Sequence, residues 1–385
     1  MRFTKLKSVA LLCAAFAGIA GMAGAETLKI GVISPLTGGG APWGVAAAQG
    51  VHIRAAEINA EGGLDVGGEK LEIEVISYDD QFKAADAVAA YNRLVNQDGV
   101  QYILVLTSPS TLALKDRVED DEVITFSAAG LAEAVDPSST YMYRMISLLR
   151  DYVPPMISWV KDNVEGHRVV VINPNDDSGL SSTRLAVENY TANGFEIVST
   201  ELFERTQKDF QPMLTKVLAL NPDIIELAST PPATTGLIVR QARDLGYEGT
   251  FIKDSGAATR EVLESAGNEG AEGMISLHFA DRTNEGYKRI ASEYRKTIGQ
   301  EPDDLIVIFY DALNVVLAAI QKAGEIDDTA KVVEAMPSIM PIRSVQGDDL
   351  TFGGNGAPGD PNQIMTYSFI SVMKDGIPDI VAKVR

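Results

Sequence analysis

Leu28-Lys29-Ile30-Gly31-Val32-Ile33-Ser34-Pro35-Leu36-Thr37-Gly38-Gly39-Gly40-Ala41-Pro42-Trp43-Gly44 opens the informative part of this chain. A helix-patterned stretch follows and ends in Glu57-Ile58-Asn59-Ala60-Glu61-Gly62-Gly63. A short apolar strand, a glycine-rich loop and a helix make one β-loop-α unit. Ahead of it, Arg2, Lys5 and Lys7 precede an apolar run over 9–20, which leads to Ala23-Gly24-Ala25. That is the pattern of a secretory leader cleaved after Ala25. An exported chain opening this way is expected to be a soluble periplasmic receptor rather than a cytosolic nucleotide enzyme.

Working outward, the β/α alternation continues. Strands are expected at 28–33, 70–77, 102–106 and 123–127, with helices at 44–59, 84–97 and 110–120 between them. The strand runs are apolar and β-branched, as parallel strands covered on both faces require. The pattern restarts after Asp151 with strands at 167–172, 196–201, 224–228 and 250–253 and helices at 179–193, 210–220 and 234–245. Helices are also expected at 284–298 and 304–323, the second apolar nearly all round and therefore buried. The fold class is α/β, two doubly wound units in series. No residue-level repeat links them.

The 385 residues carry a net charge of −20, and removing the leader's three basic residues takes it to −23. Nucleic acid and anionic lipid both need basic surface, so neither is an expected partner. Behind the leader no apolar run reaches bilayer length, so no membrane insertion of the mature chain is expected. The one cysteine, Cys13, sits inside the leader's apolar run behind Leu11-Leu12. It lacks the small residue before it that a lipid anchor needs, so free release is expected, without any disulfide.

Catalytic and cofactor signals are missing. His52, His167 and His278 are far apart and without ligand partners at metal spacing, so no metal site is expected. No serine elbow and no Walker loop occurs. The Gly38–Gly40 loop stands where a dinucleotide loop would, but Pro42-Trp43 occupies the approach to a pyrophosphate. A tryptophan there suits the wall of a small organic ligand. The adjacent carboxylates Asp79-Asp80 and Asp176-Asp177 read as turn and cap residues. The chain is expected to be no enzyme and to hold no cofactor.

At these residues the chain resembles the branched-chain amino-acid-type periplasmic binding proteins, the leucine/isoleucine/valine-binding-like group. The resemblance rests on the opening stretch, Gly50, Leu71 to Asp80, Asp98-Gly99-Val100 and Val169 to Asn175. It continues through Lys208-Asp209-Phe210, Asn221-Pro222-Asp223, Arg240 to Gly246, Ala271-Glu272-Gly273 and Tyr310-Asp311-Ala312. It implies the type I periplasmic binding fold, two Rossmann-like lobes joined by three crossovers near Leu149, Phe279 and Gly347. Lobe 1 would comprise 26–148 and 279–347, and lobe 2 149–278 and 348–385. It implies a monomer that captures a small molecule between the lobes and hands it to the inner-membrane permease of an ABC importer. An extracytoplasmic sensor acting in trans on a membrane receptor is the alternative on the same fold.

Residue by residue, the resemblance places Trp43 over the ligand and the hydroxyl turn Ser108, Ser110 and Thr111 at its carboxylate. Ser110 reads equally as a helix N-cap. Ser127, Ala128 and Gly130 fall where amino-acid binders meet the ammonium, but Gly130 stands in place of a threonine. In the second lobe Ser178, Thr230, Asp254 and Ser255 occupy contact positions, with Ser255 in place of a glutamate. The pocket is therefore expected to be rich in hydroxyls and poor in ammonium contacts. The ligand would be small, polar or acidic, without an α-amino group. A one-residue register shift would let Asp254 restore ammonium binding.

Overall fold

The computed structural model describes residues 27–135, 138–254, 256, 259–353 and 362–384. The expected leader 1–25, with Cys13, lies outside them, as does Ser255.

The first sheet uses β1 (Thr27–Ser34), β2 (Leu64–Val66), β3 (Glu69–Asp79), β4 (Tyr102–Val105), β5 (Ile124–Ser127) and β6 (Met142–Arg144), in the order β2-β3-β1-β4-β5-β6. From β3 to β6 neighbouring strands are parallel, with Ile30 opposite Val75 on one side and Tyr102 on the other. Ile30 and Val32 are fully buried. Burying each such side chain contributes about 1.5–3 kcal/mol, so the apolar run itself holds β1 at the sheet centre. Helices α1 (Ala41–Ala60), α2 (Ala84–Arg93) and α3 (Ser108–Asp120) make the connections.

The chain then enters α4 (Leu149–Asn163), which alternating elements follow: β7 (Arg168–Pro174), α5 (Asp177–Ala192), β8 (Glu196–Phe203), α6 (Gln211–Leu218), β9 (Ile224–Glu226), α7 (Pro232–Asp244), β10 (Thr250–Lys253), α8 (Thr259–Ala271) and β11 (Ile275–His278). Next come α9 (Glu285–Ile298), α10 (Leu305–Ala323) and α11 (Thr329–Ala335). Short strands β12 (Ile342–Arg343), β13 (Asp349–Phe352) and β14 (Ile364–Met365) precede the closing pair β15 (Ser368–Lys374) and β16 (Ile377–Val384). The second sheet runs β16-β15-β11-β10-β9-β7-β8. In each sheet the first long strand lies between the second and the third, the arrangement that creates a binding crevice at the strands' C-terminal ends.

The two units also start their helices alike. A β-carbon on Gly44 would fall 2.0 Å from the carbonyl oxygen of Pro35, and one on Gly179 1.9 Å from that of Pro174. Only glycine lets each helix start sit this close to the proline that ends the strand before it.

Helices α9 and α10 follow the second sheet but pack on α1 of the first. The third crossing falls later than the sequence suggested. Described residues beyond 347, expected in lobe 2, are tied to the first lobe: Arg144 N donates to Asn362 O, and Ser147 Oγ to Thr366 O at 3.0 Å. The chain rejoins the second sheet only at β15. Gly347 marks a turn within the first lobe's side of the chain, not the crossing. Helix α4 was also unexpected, because Pro154 and Pro155 argue against a helix. Burial of Tyr152, Val153, Met156, Ile157 and Val160 outweighs the lost hydrogen bonds.

Candidate ligand site

A cavity of about 80 Å³ lies between the two sheets at their C-terminal edges. The first lobe contributes Trp43, Phe82, Leu106, Thr107, Ser108, Ala128, Gly130, Leu131 and Ile146. The second contributes Ser178, Ser181, Ser229 and Gly256, while Leu149, Tyr152, Phe279 and Leu305 lie at or just beyond the crossings. The lobes touch across it. Gly256 adopts φ +65°, and a β-carbon there would meet the Trp43 ring at 3.2 Å. The Arg205 guanidinium, on the second lobe, lies 3.7 Å from the centre of the Phe82 ring on the first. The structure is a closed one.

Of the expected site residues, Trp43, Ser108, Ala128, Gly130 and Ser178 come together on this cavity. Ser110, Thr111, Ser127 and Thr230 do not line it. Ser110 Oγ donates to Asp80 Oδ2 at 2.6 Å, and its backbone N–H is capped by Thr107 Oγ1 at 3.3 Å. Thr111 Oγ1 donates to Thr107 O at 2.8 Å and lies 2.7 Å from Ser127 Oγ. Thr230 Oγ1 donates to Ile172 O at 3.2 Å. These hydroxyls hold turns together, and burial pushes the Asp80 carboxyl beneath them up from its ordinary range. Asp254 is buried beside Lys253 and Glu226 rather than at the cavity wall.

The sequence missed the apolar half of the wall. Leu106, Leu131, Ile146, Leu149, Phe279 and Leu305 read as core, and Phe82 carried no signal. The cavity is thus less polar than expected, with hydroxyls confined to Thr107, Ser108, Tyr152, Ser178, Ser181 and Ser229. Gly130 has a structural reason: a side chain there would meet Leu149 Cγ at 3.1 Å. A leucine fills the corner where amino-acid binders would have their threonine.

Among the described residues, no side chain lining the cavity is charged. Five helices present first-turn residues to it: Trp43 of α1, Ser108 of α3, Leu149 of α4, Ser178 of α5 and Leu305 of α10. Their partial positive ends converge on one space. Asp176 caps α5, accepting from Gly179 N at 3.0 Å, while Asp79 accepts from Leu36 N at 2.8 Å in the loop ahead of α1. Against desolvation, the largest single influence, the Thr37 hydroxyl and the backbone N–H groups of Gln81, Leu36 and Thr37 hold Asp79 below its ordinary value.

Behind the second-lobe wall lies a buried ionisable cluster. Lys253 Nζ donates to Ala228 O and Thr230 O, each at 2.7 Å, and sits 5.3 Å from the Trp43 ring centre. Burial brings its ammonium down to about 7. Glu226 accepts from Tyr190 Oη at 2.7 Å and from three backbone N–H groups, yet burial raises it well above the carboxylate range. Burial also raises Asp254, to about 7.

Two α/β lobes closed on a small cavity at their strand ends define a bilobal solute receptor. Residues 27–372 match the family model described as periplasmic binding protein, and the chain belongs to that family, in its branched-chain amino acid-type group. The Leu/Ile/Val-binding protein of Escherichia coli (strain K12) is 27% identical over 334 residues, covering 86% of this chain and 89% of that one. The branched-chain amino acid transporter substrate binding protein of Streptococcus pneumoniae, solved with isoleucine, superposes with a TM-score of 0.78 at 22% identity, covering 92% and 99%. The solute binding protein of an ABC transporter from Rhodopseudomonas palustris BisB5, solved with 3,4-dihydroxy benzoic acid, superposes with a TM-score of 0.78 at 24% identity, covering 93% and 98%.

Proposed function

We propose that this chain is a periplasmic monomer, not an enzyme, that captures a small carboxylic acid with an apolar body and no α-amino group. It would deliver that acid to the inner-membrane permease of an ABC importer. The observation that carries this reading is the wall itself: apolar rings and leucines, five converging helix N-termini and no lining carboxylate. A ligand ammonium needs a carboxylate or several free acceptors out of water. A ligand carboxylate is served by helix N-termini and hydroxyls.

The relatives' names point both ways on ligand, one binding Leu/Ile/Val and another solved with an aromatic acid. They give no support to the sensor alternative. Ser108 and Ser178, at the starts of α3 and α5, are the proposed carboxylate contacts, and Trp43 and Phe82 the proposed plates on the apolar body. A thermal-shift panel of amino acids, their deaminated acids, aromatic acids, amides and polyols tests the reading. Acids with an apolar body are expected to raise Tm, by about 2.7 kcal/mol of stabilisation at a hundredfold excess over Kd. A shift with leucine, isoleucine or valine alone would overturn the ligand class.

A further inference from the structure

We propose that the Lys253 ammonium sets the charge preference of the cleft, favouring a ligand carboxylate and rejecting a ligand ammonium. The inference rests on the carboxylate reading above and assigns it to one residue. Lys253 is 0% exposed and ends β10 one layer behind the cavity. Its two carbonyl partners flank Ser229, which lines the cavity, and its charge faces the ring of Trp43, which lines it too.

Both hydrogen-bond partners are neutral, and no carboxylate of the described residues reaches ion-pair contact with it. Asp254 and Glu226 lie beside it without ion-pair contact, and its ammonium faces the cavity through the Trp43 ring. The carbonyls of Ala228 and Thr230 are acceptors that a ligand ammonium at this wall would need, and Lys253 already occupies them. A second ammonium would meet a like charge and filled acceptors, whereas a carboxylate would meet a matched charge. The other ionisable groups that bear on Lys253 are Asp254 and Glu226 beside it, Asp303 ahead of α10, and Arg205. Burial keeps the first three on the protonated side of their ordinary behaviour, and Arg205 adds positive charge.

Calorimetry with matched pairs tests this: 3-phenylpropionate against L-phenylalanine, and 4-methylpentanoate against L-leucine. The wild type should prefer the acid in at least one pair by about tenfold or more, and Lys253→Met should erase about tenfold of that ratio. Lys253→Gln keeps an N–H donor for the carbonyls, so it separates loss of charge from loss of fold, which circular dichroism monitors. A folded variant with an unchanged ratio overturns the role of Lys253 and leaves the carboxylate reading standing. A wild type that prefers the amino acid, or binds no member of either pair, overturns both.

Discussion

Each lobe shapes its cleft loop around a buried cation, and the two cations differ. In the first lobe Arg144, fully buried on β6, donates to the carbonyls of Ala129, Leu131, Ala132 and Val135 at 2.6–3.0 Å. In the second, Lys253 gathers only the carbonyls of Ala228 and Thr230. Guanidinium keeps its charge at any physiological pH, while an ammonium gives it up when buried. Beside Lys253, Asp254 Oδ1 is buried without a partner among the described residues. The first wall's cation holds a fixed charge, and the second wall's can gain or lose a proton.

The largest test of that contrast is Trp43→Ala, because the ring touches both walls. It should weaken binding by about 2–4 kcal/mol in calorimetry, as truncation of a central aromatic does. Unchanged affinity would remove the first wall from recognition. Next come Gly44→Ala and Gly179→Ala, which insert a methyl against a proline carbonyl in opposite lobes. Each should cost about 1–3 kcal/mol in urea unfolding. Strongly unequal costs would show that the two strand-to-helix turns are not the same device.

Arg205→Ala removes the contact with Phe82 that bridges the lobes, worth about 1 kcal/mol. Small-angle scattering of the ligand-free variant should show a larger radius of gyration than the wild type. The last test is the pH dependence. Asp254, raised from 3.8 to about 7, binds its proton more tightly when folded, so its share of stability falls as pH rises between those values. Lys253, lowered from 10.5 to about 7, holds its proton less tightly when folded, so its share recovers as pH rises above about 7. Thermal melts of Asp254→Asn should show a shallower falling limb and those of Lys253→Gln a shallower rising one, with Glu226 and Asp311 still contributing to the fall.

Much of the fold was legible because apolar runs and helix stops recur at regular spacing, as in β1, β10 and α10. Helix α4 was not, since Pro154-Pro155 contradicts locally what packing enforces. The third crossing was misplaced because a glycine-rich stretch gives no sign of which sheet it joins. In the site, Trp43, Ser108, Ala128, Gly130 and Ser178, which the family resemblance pointed to, line the cavity between the lobes. Ser110, Thr111, Ser127 and Thr230 do not line it: a sequence shows a hydroxyl but not whether another group already holds it. Leu149 and Leu305 were invisible because closing two lobes buries the same residue types as folding one.

Helix α10 carries a consequence for how the chain is made. Against the expectation that no apolar run behind the leader reaches bilayer length, Leu305–Ala323 is long and apolar enough to cross a bilayer by length and composition alone. In the folded protein it is a core rod, but a periplasmic family member must pass through a membrane first. An unfolded chain in transit offers this stretch to the lipid as a stopping point. Asp311 and Asn314 sit near its centre. A central aspartate costs about 2.5–3.5 kcal/mol on insertion. Once folded, Asp311 accepts from Ser344 Oγ and from Val345 N at 2.9 Å, while burial raises it to about 6. The same carboxyl that fastens the core is thus placed to keep the helix moving through the translocation channel, and fractionating Asp311→Leu between membrane and soluble pools would reveal whether it does.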